Sequence, residues 1–235
     1  MAEKRIVSFI ANEKLLEAVE LVVNATKEAI SEVEETIDDN VLDPFSALYE
    51  SVLTGLDYDE WLTKEKSRQI QKTMQNAIGD FHQKIIGGID GWEDLGKGNL
   101  VDVRNMRDKI VAEVKNKHNT VTGQHLVRIY DELVNALAQK EYKGFQGYYV
   151  TVIAKDKDTL KYFTPSDNNT HARRPQDEKI KEISGWRFYD IATGQKDSLF
   201  TLFSALPDVL ENYFKCDTSN FKSQEALKEI FDRSF

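Results

Sequence analysis

Three charged side chains, Asp102, Glu113 and Lys115, interrupt two short segments of β-branched, apolar residues. In a β-strand the residues i and i+2 point to the same face, so Glu113 and Lys115 project together while Val114 faces the opposite side. Asp102 lies in the preceding segment and can reach the same point if the two segments pair as a hairpin. Burial of such charges costs several kcal/mol each unless they are paired or bind a metal.

Two carboxylates beside a lysine have a definite chemical use. Carboxylate oxygens are hard ligands suited to Mg²⁺. A lysine next to them can position an attacking water or neutralise charge on a phosphate. The trio therefore predicts metal-assisted hydrolysis of a phosphodiester. The alternative is an exposed hairpin whose charges form ordinary cross-strand pairs, and the spacing alone does not decide between the two.

An acidic residue two positions before a lysine is a common pattern, and it occurs three times in this chain. The second and third instances begin at Glu141, after a helix end, and at Asp177, in a polar segment. Only Glu113 stands in a β-branched segment with an aspartate on the segment before it. The context, rather than the tripeptide, singles out residues 113–115.

The surrounding pattern predicts an α/β fold, with a mixed central β-sheet flanked by helices and an extra N-terminal helical region. Helices are expected at residues 13–37, 44–55, 59–87 and 125–140 and in the C-terminal part, with a break at Pro207. Strands are expected at 98–105, 109–117, 147–154 and 186–192. Residues 155–179 are polar and predicted to form a loop.

The chain has 235 residues, enough for one large domain or one domain with a helical appendage. Residues 1–63 carry 4 Lys and Arg against 15 Asp and Glu, whereas residues 64–235 are close to neutral. We therefore expect an acidic helical region at 1–63 and a catalytic core at 64–235. Cys216 is the one cysteine, which excludes an internal disulfide framework and favours a reducing cytoplasm. No apolar run is long enough to span a bilayer, so no membrane partner is expected.

Asp102, followed after ten residues by Glu113-Val114-Lys115, resembles the signature of the PD-(D/E)XK nucleases. The longer block GGIDGWEDLGKGNLVDVRN…IVAEVKNKHNT resembles a group of type II restriction endonucleases that cut GGNCC or GGWCC sites. The flanking strings FHQKIIG and RRPQDEKIKEISGWRFYD are also similar, so the resemblance covers roughly residues 75–210. Val101 stands where the signature has a proline, a position that varies in the family.

The resemblance implies a role for each matching residue. Asp102 and Glu113 would hold Mg²⁺, and Lys115 would attend the attacking water. Some members add a Glu or Gln from the preceding helix, for which Gln83 is preferred over Asp80. Double-stranded DNA cut at a palindromic site implies a homodimer, since protein symmetry mirrors that of the site. A cognate DNA methyltransferase is implied as a separate functional partner.

DNA contacts are expected from two further segments. Arginine reads guanine best, through its O6 and N7 atoms, and Arg173 and Arg174 in the polar segment fit that need. The residues that leave the catalytic strand are expected to contact the DNA backbone near the scissile phosphate: Lys117, His118, Asn119 and Thr120.

Two other functions remain open from the sequence. One is a non-specific or repair-type nuclease on the same fold, which would give a smear instead of defined DNA fragments. The other is a non-enzymatic helical interaction or regulatory module, whose hairpin charges would be surface pairs without Mg²⁺-dependent cleavage.

Overall fold

The computed structural model describes residues 4–37, 41–118, 121–167, 170–221 and 223–234. The helices of this part of the chain are α1 Asn12–Thr36, α2 Pro44–Thr54, α3 Tyr58–Gly87, α4 Gly123–Ala138, α5 Gly185–Thr193, α6 Ser198–Phe214 and α7 Gln224–Asp232. The strands are β1 Glu93–Asp94, β2 Val103–Asn105, β3 Ile110–Lys117, β4 Gln146–Ile153, β5 Leu160–Tyr162 and β6 Ile180–Ser184. None of the described helices is long and apolar enough to cross a membrane.

The chain forms two compact units. One comprises residues 20–78, and the other comprises residues 1–19 and 79–235. Helix α3 runs without a break through residues 63 and 64, where the sequence analysis placed a domain boundary, and that boundary stays a prediction.

The helical unit 20–78 contains α2 and most of α1 and α3. Trp61 is its buried anchor, with 2% of its surface exposed, and its indole Nε1 donates to Glu50 at 3.0 Å. Arg68 lies over the Trp61 ring and pairs with Glu50, so an aromatic residue and an ion pair join α2 to α3. Helix α2 begins sharply because Asp43 caps it and Pro44 fits the first turn.

The second unit is built on a mixed sheet with the strand order β1-β2-β3-β4-β6-β5 among the described residues. Strands β3, β4 and β6 are parallel, and the remaining neighbours pair antiparallel. Helix α4 connects β3 to β4 and buries Ile129, Tyr130 and Leu133 against one face of the sheet. Helix α5 covers the other face, where Phe188 contacts Trp92 and Tyr148. The α/β class with helices on both faces is confirmed.

The predicted hairpin of β2 and β3 is present, with Val103 opposite Ala112, although its first strand is shorter than expected. Strand β4 is central, as predicted. The prediction of an edge strand at 186–192 was wrong, because this segment is α5. Ser184 caps that helix by accepting from Arg187 N at 3.3 Å, and the buried residues Phe188 and Ala192 follow helical spacing.

Two further expectations were wrong. The segment 155–179 contains the short strand β5, and the strand that follows it is β6, which the sequence analysis did not mark. Helix α6 continues through Pro207 instead of breaking there. Leu202 and Val209 are buried on either side of the proline, and this packing holds the helix together despite the lost backbone hydrogen bond.

Candidate active site

Strand β3 presents the two charged residues to one face of the sheet. Val114 between them is 2% exposed and packs on the opposite face, as strand alternation requires. In the parallel register with β4, Glu113 lies beside Tyr149 and Lys115 beside Thr151. Glu113 and Lys115 therefore lie on the face that α4 covers, near the carboxyl end of β3.

Asp102 lies immediately before β2, and its backbone extends the ladder by one residue. Its N–H donates to the Ala112 carbonyl at 3.0 Å, and its own carbonyl accepts from Leu95 N at 2.9 Å. The side chain turns toward β3, where Oδ2 accepts from Val114 N at 2.7 Å. A backbone donor on β3 thus fixes the position of this carboxylate.

The three predicted residues meet at one point. Lys115 Nζ lies 2.6 Å from Glu113 Oε1 and 3.7 Å from Asp102 Oδ2. The side chains are largely buried, with exposures of 19% for Asp102, 12% for Glu113 and 23% for Lys115. Cross-strand charge pairs on a hairpin surface would be far more exposed to solvent than these side chains. The geometry therefore contradicts the alternative of a solvated hairpin.

Burial and mutual charge shift the pKa of each group. Burial raises the pKa of Glu113 to about 7, and the negative charge of Asp102 adds to that rise. Burial also raises the pKa of Asp102, against the opposing effects of Lys115 and the Val114 N–H. Burial alone would lower the pKa of Lys115, but the two carboxylates outweigh it and raise the value. The lysine is therefore held as an ammonium.

The residues present fit a divalent cation. One ammonium faces two largely buried carboxylates, so one negative charge has no compensating positive charge. A bound cation would offset the free-energy cost of burying that charge. Mg²⁺ usually takes only one or two protein carboxylates and keeps several waters. The described residues contain no group of three or more His, Cys, Asp or Glu that could enclose a metal. An open site with Asp102 and Glu113 as its ligands is consistent with both facts.

Sequence reasoning missed the residues that surround this point. Glu132 on α4 is close enough to contribute to the raised pKa of Glu113, and it pairs with Arg128 at 2.8 Å. Tyr149 on β4 is buried beside Glu113 and stacks on Phe163 with ring centroids 4.6 Å apart. The spacing of Arg128 and Glu132 signals a helical pair, but nothing local shows that α4 lies over the site.

The residues expected to assist catalysis and to contact the DNA backbone are placed as follows. Gln83 and Asp80 lie half-buried on α3, and Gln83 makes no hydrogen bond to another described residue, so its role stays a prediction. Lys117 ends β3 and is exposed, and His118 follows it with its N–H donating to Ile153 O at 3.1 Å. The other two backbone-contacting candidates, Asn119 and Thr120, lie outside the described residues.

The arginine pair divides into two different environments. Arg174 makes a bidentate contact with Asp131 on α4, Nε to Oδ1 at 2.9 Å and a terminal nitrogen to Oδ2 at 2.7 Å. Arg173 is exposed and makes no hydrogen bond or ion pair with another described residue. The structure therefore separates two neighbours that the sequence presented as equivalent.

The chain matches known proteins over most of its length. The family model of the Eco47II restriction endonuclease matches residues 7–215. The type II restriction enzyme Eco47II of Escherichia coli is 39% identical over 211 residues, which cover 88% of this chain and 87% of that enzyme. The type II restriction enzyme Sau96I of Staphylococcus aureus is 31% identical over 225 residues, covering 94% of this chain and 85% of that enzyme.

These similarities decide among the functions that the sequence left open, because both relatives are restriction enzymes rather than repair nucleases or binding modules. The chain is a site-specific deoxyribonuclease that acts on double-stranded DNA. It belongs to the Eco47II restriction endonuclease family.

Proposed function

We propose that this type II restriction endonuclease hydrolyses phosphodiester bonds at the point where Asp102, Glu113 and Lys115 meet, with Mg²⁺ as cofactor. The observation that carries the proposal is the position of Lys115 Nζ between two buried carboxylates, 2.6 Å from one and 3.7 Å from the other. A cluster of largely buried charges costs folding free energy, and such clusters are typical of catalytic sites.

Each residue has a distinct task. Asp102 and Glu113 would hold the cation, whose chemistry is to polarise the phosphate and lower the pKa of a water. Lys115 stays protonated because its pKa is raised, so it donates hydrogen bonds to the attacking water and neutralises charge developing on the phosphate. The Val114 N–H holds the Asp102 carboxylate in place. Gln83 is retained as the candidate for an additional polar group from α3.

The recognition site is proposed to be a short palindrome of the GGNCC type, as the resemblance implies. Lys117, His118, Asn119 and Thr120 would contact the DNA backbone next to the cut without reading sequence. Guanine-rich half-sites call for arginine, which Arg173 and Arg174, in the segment between β5 and β6, would supply.

Digestion of phage DNA, followed by run-off sequencing of the ends, tests this proposal. We expect defined fragments with Mg²⁺ and none with excess chelator. Asp102→Asn, Glu113→Gln and Lys115→Ala should each lower cleavage at least ~100-fold, while Lys115→Ala keeps most of the DNA affinity in a gel-shift assay.

The chain offers a matched control in the tripeptide Glu141-Tyr142-Lys143, which has the same spacing and exposed charged residues. Glu141→Gln and Lys143→Ala remove the same charges elsewhere and should leave cleavage unchanged. Full activity of Lys115→Ala, or equal losses in the control variants, would contradict the assignment of the catalytic cluster.

A palindromic site is cut on both strands by two active sites, which favours a homodimer. Helix α2 provides a surface for it, since none of its residues is buried and an apolar stripe runs along it. The stripe consists of Phe45, Leu48, Tyr49, Val52 and Leu53, which are 61–79% exposed. These side chains offer on the order of 500 Å² per chain, against about 800 Å² per partner in a standard stable interface. Glu50, the acidic residue of α2, is neutralised by Arg68, so two copies of the stripe would meet without repulsion.

Sedimentation of the full chain with Val52→Glu and Leu53→Glu tests the dimer. We expect the wild type to have the mass of two chains and the variant that of one. Ile230→Glu on α7, an exposed apolar residue of the other unit, should leave the dimer intact. If the wild type is monomeric, the proposed dimer does not exist. If the variant still has the mass of two chains, the stripe on α2 is not the dimer interface.

A cognate methyltransferase would modify the same site and protect the host DNA, which requires both enzymes in the bacterial or archaeal cytoplasm. Methylated DNA should therefore resist the digestion that cleaves unmethylated DNA.

A further inference from the structure

Two stretches of the segment between β5 and β6, 165–167 and 170–175, run side by side and are called the arm here. Ser166 and Arg173 form an antiparallel bridge. Arg174 N donates to Pro165 O, and Asp167 N donates to Ala172 O, both at 2.9 Å. Backbone hydrogen bonds thus give this polar segment a defined shape.

The base of the arm is attached to α4 at two points. The guanidinium of Arg174 binds both carboxylate oxygens of Asp131, at 2.9 and 2.7 Å. The Tyr130 hydroxyl donates to the Pro175 carbonyl at 2.8 Å. A bidentate pair fixes orientation as well as distance, which a single lysine contact would not do.

The same helix borders the catalytic point. Glu132, the residue after Asp131, is close enough to influence Glu113 electrostatically. Tyr130 packs near Phe163, which stacks on Tyr149 beside Glu113. Adjacent residues of one helix therefore hold the base of the arm and lie close to Glu113.

Arg173 differs from Arg174 in having its donors free. It is exposed, and within the described ranges it makes no hydrogen bond or ion pair. Alternation along the arm explains the difference, since adjacent residues of an extended segment point to opposite sides. An arginine with five free donors on a fixed support beside a nuclease site is equipped to bind the O6 and N7 atoms of guanine.

We propose that Arg173 is the residue of the arm that reads guanine and that Arg174 is a positioning residue, which sets the arm through Asp131. The inference rests on the proposed function, cleavage at a guanine-containing site. Arg174 also neutralises Asp131, which would otherwise repel the DNA backbone next to the catalytic cluster.

The experiment compares cleavage of the site found for the wild type with cleavage of sites altered at one base pair. Arg173→Ala should lower the preference for the correct guanine roughly 10- to 100-fold and leave thermal stability unchanged. Arg173→Lys keeps the charge but not the planar fork, so it should retain salt-dependent DNA binding and still lose the preference.

Arg174→Ala and Asp131→Ala should each lower cleavage of all sites by a similar factor, and the double variant should be no worse than either single variant. The exchange Asp131→Arg with Arg174→Asp restores the ion pair and should recover part of the activity, which it could not do if Arg174 itself contacted DNA.

These experiments distinguish a failure of the proposed site-specific cleavage from a failure of the roles assigned to Arg173 and Arg174. Defined wild-type fragments support the proposed function whatever the arm does. If Arg173→Ala then keeps the wild-type preference, or the exchanged pair recovers nothing, the division of roles in the arm is wrong. Random cleavage by the wild type overturns both the site-specific proposal and the reading role of Arg173.

Discussion

We expect His82 to make the stability of this protein sensitive to moderate acid. The side chain is buried on α3, and its Nδ1 lies 2.8 Å from the Tyr189 hydroxyl on α5. Phe81 and Tyr189 pack against the ring in edge-on contacts. Burial disfavours the imidazolium and lowers the pKa of His82 to about 4, so the folded protein holds this histidine neutral.

The magnitude follows from the difference in proton binding between the two states. An unfolded chain has a histidine pKa of about 6.5, so it takes up a proton below that pH while the folded state does not. Stability is therefore fully present above pH 6.5 and is lost as the pH falls toward 4. At pH 4.5 the loss due to His82 is about 2.5 kcal/mol.

Urea unfolding of the wild type and His82→Gln between pH 4.5 and 7.5 measures this effect. Glutamine keeps a polar group beside Tyr189 but takes up no proton, so the free energy of unfolding of the variant should fall less steeply with acid. The difference between the two proteins should change by about 2.5 kcal/mol across this range. His125→Gln, an exposed histidine exchange on α4, controls for the loss of an imidazole. Parallel pH profiles for the wild type and His82→Gln would refute the reasoning.

Three other substitutions test the packing, the cost of the site and a helix cap. Gly185→Ala places a Cβ 2.5 Å from the Val152 backbone and should destabilise by about 1–3 kcal/mol, while Gly79→Ala meets nothing within 4 Å and should not, as thermal melts will show. Glu113→Gln removes a largely buried charge and should therefore raise the midpoint of urea unfolding measured in chelator, while it abolishes cleavage. A lowered midpoint would contradict this. Asp43→Ala removes the acceptor that caps α2 and should cost about 1 kcal/mol in chemical unfolding, and a loss of zero would show the cap to be dispensable.

The meeting of Asp102, Glu113 and Lys115 was predictable because its signal is local. Strand alternation places Glu113 and Lys115 on one face, and a hairpin brings Asp102 to them, so both requirements lie within sixteen residues of sequence. The flanking positions of that strand are apolar and β-branched, and a charged trio there has few structural explanations.

The edge strand at 186–192 was misplaced because aromatic and β-branched residues favour strands by composition, whereas α5 depends on its cap and on what it covers. Ser184 ends β6 and also caps the helix, so one polar side chain determines the change from strand to helix. Gly185 must lie against Val152, a requirement set by the neighbouring strand and invisible in the local pattern.

The amino-acid sequence by itself determined which residues the proposed chemistry uses, namely the set of two carboxylates and one lysine in its strand context, and the family of enzymes that this set resembles. The tertiary structure alone decided which groups surround that set and which arginine of the arm is paired. The physical reason is the range of the interactions involved. Alternation and hairpin pairing act between near neighbours, whereas the contact of Arg174 with Asp131 and the approach of α4 to Glu113 join segments that only the packed sheet brings together.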